Sequence, residues 1–190
     1  MAENKKYHLS EKGIAYEQER IEAAKKNPAL FSELYDKYFE PVFRYMFQRL
    51  DDKEQAFDST QQVFLIAMNN LPKYENRGLP FSSWLFRIAK NELSELFKKE
   101  KAKRTVNIDS VKIYDIIEEI QETKIDKYHD KIVSIIGEEL NEDDLQLIEM
   151  RFFENRSFRE MADILDITEN NAKVKTYRVL DKLRQVIKPI

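Results

Sequence analysis

The stretch 168–178, TENNAKVKTYR, sets amide, ammonium, phenol and guanidinium groups at helical spacing. On a helix, Asn170, Lys173, Val174, Tyr177, Arg178 and Asp181 share one face, and Ala172, Thr176, Val179, Leu183 and Val186 share the opposite one. Lysine and arginine attract phosphate, while asparagine and arginine can pair with base edges. The chemistry on offer is therefore recognition of nucleic acid rather than bond making.

The preceding residues supply a means of presenting that face. In 157–165, Phe158, Met161, Ala162 and Leu165 form an apolar stripe, and Ser157 with Glu160 has the capping-box spacing S-x-x-E. Residues 166–168, DIT, read as a short turn, with Thr168 as N-cap of the next helix. Helix, short turn and polar-faced helix make a helix-turn-helix, which can lay its second helix in a DNA major groove. The plainer reading is an αα-hairpin with a solvated outer face.

The front of the chain also reads as helical. Leu30, Leu34, Tyr38, Val42 and Tyr45 recur at spacings of three and four from Pro28 onward, with Phe31 and Phe39 beside them. Asp51-Asp52 offers a cap for a helix ending near Leu71-Pro72, with Phe57, Phe64, Met68 and Leu71 as its stripe. The segment 73–80, KYENRGLP, reads as a loop because Gly78 and Pro80 are breakers. From Phe81 to about Lys103 a further helix carries Phe81, Leu85, Ile88, Ala89, Leu93 and Leu96 inward. Asn91, Ser94, Glu95 and Lys98 share another of its faces. Core packing is the reading preferred for Phe81 and Trp84.

Residues 1–26 are polar and read as a loose arm or partly formed helix. Residues 104–131 read as a linker with transient helix around DIIEEI, and a second unit spans 132–190, with helices over roughly 132–139 and 142–153. The first unit is 27–103. Net charge is −3, but it is unevenly spread. Segment 97–104 has five basic residues and one acid; 173–188 has six basic residues and one acid; 109–144 has twelve acids and four lysines. Two basic patches therefore flank an acidic stretch. That stretch reads as a solvated linker, or as a tether that repels DNA and follows a basic channel.

Several function classes lose support. Cysteine is absent and the two histidines, His8 and His129, are far apart, so no metal or other cofactor is expected. Glycines stand only at 13, 78 and 137, which excludes a phosphate-cradling glycine loop. No catalytic triad or dyad is visible, so the chain is not expected to be an enzyme. The N-terminus lacks a secretory apolar stretch, and VFLIAM (63–68) is too short to span a bilayer. A cytoplasmic protein with no membrane insertion is expected. With few breakers and many helix formers, the fold class is all-α.

Three runs, taken in order, resemble a known family. QAFDSTQQVF (55–64), FSSWLFRIAKNELSELFKK (81–99) and LNEDDLQLIEMRFFENRSFREMADILDITENNAKVKTYRVLDKL (140–183) are similar to those of group IV, or extracytoplasmic-function, sigma factors of bacterial RNA polymerase. The resemblance implies two small helical domains, sigma-2 and sigma-4, on a flexible acidic linker. It implies core RNA polymerase (its clamp helices and flap) and promoter DNA as partners, and an anti-sigma protein as a further one. Asp58, Gln61 and Gln62 match the clamp-contact positions. Tyr74, Asn76, Arg77, Gly78, Asn91, Lys98 and Lys99 match the side facing the −10 element. Thr168, Asn170, Asn171, Lys173, Lys175, Tyr177 and Arg178 match the −35 reading face. Phe57 stands where the family usually has Glu, Lys98 where it has Arg, and Asp166 where it has a turn glycine. A stand-alone helix-turn-helix regulator and a helical protein-binding adaptor are the alternatives.

Overall fold

A computed structural model describes residues 11–100, 116 and 140–187; every element among them is helical. The chain divides into two compact units, Met1–Asn107 and Ile108–Ile190. The helix expected over 132–139, and all of the 104–131 stretch except Ile116, lie outside the described residues. Ile116 is helical and wholly buried, so that stretch contains a core side chain.

In the first unit, α1 (Glu11–Lys26) leads through a 3₁₀ turn (Pro28–Phe31) into α2 (Ser32–Leu50), α3 (Lys53–Asn70), a second 3₁₀ turn (Leu71–Lys73) and α4 (Phe81–Glu100). Helix α2 buries Leu34, Tyr38, Val42, Tyr45 and Met46, the stripe expected from its spacing apart from exposed Leu30. Asp51 ends it in the left-handed region (φ 54°), where its N–H bonds the Phe47 carbonyl. Asparagine and aspartate tolerate that region better than most residues. Asp52 then caps α3, accepting from the Gln55 N–H at 2.8 Å.

The inward stripe of α3 differs from the expected one. Phe57 is 44% exposed and Met68 is exposed too. The buried set is Ala56, Ser59, Thr60, Val63, Phe64 and Ala67. Phe64 meets α2 through Tyr35 and Phe39, while exposed Phe57 sets its ring edge-on to Phe39. Buried Thr60 satisfies its hydroxyl by donating to the Ala56 carbonyl at 2.6 Å.

The N-terminal segment needs a larger correction. Of the segment read as a loose arm or partly formed helix, residues 11–26 are a regular helix packed on the unit. Ile21 and Ala24 are buried, and so is Glu17, at 3% exposure. Its carboxylate accepts from Lys37 (2.7 Å), from the Tyr38 hydroxyl and from the Phe81 N–H (2.7 Å). A carboxylate satisfied in this way can occupy a core position. Nearer the end of α1, the Lys25 ammonium hydrogen-bonds Glu22 at 2.8 Å and holds that carboxyl below its ordinary range.

In the second unit, α5 (Glu142–Ile148) is capped by the Asn141 side chain, which accepts from the Asp144 N–H. A wide π turn (Glu149–Phe153) follows. Helices α6 (Phe158–Leu165) and α7 (Glu169–Ile187) complete the unit. The capping box forms in full: Ser157 accepts from the Glu160 N–H, and Glu160 accepts from the Ser157 N–H. Ser157→Ala should cost about 1 kcal/mol of stability, read from urea unfolding of the chain; an unchanged midpoint would mean the cap is replaced by water. The stripe of α6 includes Ile164, which is buried, in addition to Met161 and Ala162.

Candidate nucleic-acid interface

The helix-turn-helix is built as its sequence spacing requires. Asp166 adopts the left-handed region (φ 56°), and the Ile167 N–H closes back on the Ala162 carbonyl. Thr168 starts α7: its hydroxyl oxygen accepts from the Asn171 N–H at 3.2 Å and its carbonyl from the Ala172 N–H. Thr168 is exposed at a helix N-terminus, where unbonded N–H groups favour phosphate.

Helix α7 buries Ala172, Thr176, Val179, Leu180 and Leu183. The Thr176 hydroxyl donates to the Ala172 carbonyl, so no polar group is stranded there. This packing fixes the rotation of the helix and turns Asn170, Asn171, Lys173, Val174, Lys175, Tyr177 and Arg178 outward, all exposed. At 100° per residue Val174 sits at the middle of that face. Behind it, the Arg151 guanidinium lies 4.9 Å over the Phe158 ring, whose centroid is 6.2 Å from that of Tyr177.

The first unit carries two candidate faces. Asp58, Gln61 and Gln62 are exposed together on α3, and Leu65, one turn further, is exposed beside them. In the 74–80 loop, Asn76, Arg77 and Gly78 are exposed. The Asn76 side chain accepts from the Gly78 N–H at 2.7 Å, and Gly78 takes φ 70°, which a residue with a Cβ resists. Asn91 and Lys98 are exposed along α4, and Lys98 pairs with Glu95 at 2.9 Å. The side chain of Lys99 lies outside the described ones.

Tyr74 does not belong to the exposed set. It is 8% exposed, with its ring 5.3 Å from Phe81 and 5.0 Å from Trp84. The aromatic residue of a loop found apolar neighbours on the following helix. Its place is the wall of a cavity of about 250 Å³ lined by Ile66, Asn70, Lys73, Tyr74, Trp84 and Ile88. Nothing in the linear spacing marked Asn70 or Lys73 as part of that wall.

Residues 34–103 match the family model for sigma-70 region 2, and residues 138–185 match that for sigma-70 region 4. The chain belongs to the sigma-70 family. Among curated relatives, this sigma factor is 26% identical over 171 residues to the ECF RNA polymerase sigma factor BldN of Streptomyces coelicolor, covering 89% of this chain and 65% of BldN. It is 25% identical to the ECF RNA polymerase sigma factor SigX of Bacillus subtilis, with 82% of each chain covered. These relatives place it in the extracytoplasmic-function group. In fold it is similar to CnrH, solved in complex with the cytosolic domain of CnrY: TM-score 0.56 at 16% identity, covering 90% of this chain and 99% of that one.

Sigma factors act in transcription initiation and are in general not catalytic enzymes. The region 2 match contains α3, the 74–80 loop and α4; the region 4 match contains the helix-turn-helix. Helix α1 precedes both. Among the described residues no helix is long and apolar enough to cross a membrane.

Proposed function

We propose that this sigma factor joins core RNA polymerase through the Asp58–Gln61–Gln62 face of α3 and carries it to promoters in the cytoplasm. The outward face of α7 reads the −35 element in the major groove, with Lys173, Lys175 and Arg178 on phosphate and Asn170, Asn171 and Arg178 on base edges. Asn76, Arg77 and Gly78, with Asn91, Lys98 and Lys99 of α4, engage the −10 element. Unstacking a base costs a few kcal/mol. The cavity beside the loop offers an extruded base the Trp84 ring and the Asn70 amide, and stacking returns about 1–3 kcal/mol.

The observation that carries this reading is the outward exposure of the seven α7 residues on a helix whose opposite face is buried and whose N-terminus Thr168 caps. The net negative charge argues that polymerase must bring the protein to DNA, since each cationic patch is small. CnrH is seen held by the cytosolic domain of CnrY, and a protein inhibitor of comparable kind is proposed as the regulating partner here.

Transcription from a genomic promoter library, run with core polymerase with and without this protein, tests the reading. Initiation at a discrete promoter set is expected only when the protein is present. Equal initiation in both arms would sink it.

A further inference from the structure

Helix α1 touches the 74–80 loop at both of its ends. At the entry, the Lys25 ammonium donates to the Tyr74 carbonyl at 2.8 Å and lies 5.9 Å from the centre of the Tyr74 ring. At the exit, the Glu17 carboxylate accepts the Phe81 N–H at 2.7 Å. That N–H belongs to the first turn of α4 and has no partner within the helix. A carboxylate there also suits the positive end of the helix dipole. The two contacts stand eight residues apart on α1, about 12 Å along its axis. Between them the chain makes the Asn76–Gly78 turn and leaves residues 75–78 exposed.

The geometry points to a role for α1 as a brace of the −10 loop, with Lys25 and Glu17 as positioning residues for promoter opening. This rests on the reading that the 74–80 loop engages the −10 strand. A six-residue segment with untethered ends samples many conformations and must lose them when it captures a base. Pinning the Tyr74 carbonyl and the Phe81 N–H removes much of that freedom before DNA arrives. Glu17 is itself held by Lys37 and Tyr38, so the anchor at the exit belongs to the core. Lys25 is partly exposed and steadied by Glu22, so the anchor at the entry can be removed without opening the core.

Lys25→Met in the full chain, assembled with core polymerase, tests the brace. Opening is read from 2-aminopurine fluorescence in the non-template −10 strand, and loop order from hydrogen exchange of the free protein. Opening should slow about fivefold, the net worth of one ordinary hydrogen bond, since the Lys25 ammonium is partly exposed. Exchange should rise at 75–79, while core affinity and the unfolding midpoint stay put and Lys25→Arg restores both readouts. An unchanged opening rate or unchanged exchange at 75–79 overturns the proposal, as does a slower opening that tracks a loss of core affinity. Arg77→Ala runs in parallel. If it slows opening and Lys25→Met does not, the brace alone is wrong; if neither slows opening, the loop reading falls with it.

Discussion

Phe81→Ala should destabilise the first unit by about 3–5 kcal/mol, the usual cost of deleting a buried aromatic ring. The ring is 0% exposed and meets Tyr38 at 6.0 Å, Tyr74 at 5.3 Å and Trp84 at 5.3 Å. It stands at the first position of α4, where α1, α2 and the loop converge through Glu17. Domains of ordinary stability hold about 5–15 kcal/mol in total, so the loss is a large share. Trp84 is the only tryptophan of the chain and adjoins the ring, so its fluorescence during urea unfolding reports the event. A midpoint shift worth less than about 1 kcal/mol would show that the site collapses around the deletion.

The second large effect concerns α7. Replacing Lys173 and Arg178 together with alanine should lower initiation at promoters that depend on the upstream element about 10- to 100-fold, at roughly 1–3 kcal/mol per lost base contact. Core binding should not change, because both side chains sit on the outward face of the second unit. The two residues should separate under salt. Lys173→Ala should weaken all sequences alike and flatten the salt slope by about one. Arg178→Ala should also relax base preference. A fall in core affinity with promoter choice intact would place this face against polymerase instead.

What the sequence made legible was mostly local. The Ser157–Glu160 box, the Asp52 cap, the Thr168 cap and the division of α7 into a buried and an outward face depend on residues within four positions of one another. Such signals survive without knowledge of the neighbours. The misreadings share the opposite cause. On α3 the large side chains Phe57 and Met68 suggested a core stripe, but the buried positions include Ala56, Val63 and Ala67, and size alone does not tell which turn of a helix faces its neighbours. The burial of Tyr74, a loop residue named with the −10 side, depends on Phe81 and Trp84, which follow it on another element. The segment containing α1 read as a loose arm or partly formed helix because it is polar and charged, and only partners on α2 and α4 make Glu17 a core residue. The cavity wall likewise joins residues of α3, the loop and α4 that no periodicity links.

The Arg151–Phe158–Tyr177 stack has a thermodynamic corollary. A tyrosine standing alone on a helix surface wanders among rotamers, and freezing it on contact costs entropy. Here Tyr177, 42% exposed, leans on a ring that is itself backed by a guanidinium. That contact narrows its rotamers in the free protein, so under the proposed −35 role less entropy would be lost on binding and more contact energy would remain as affinity.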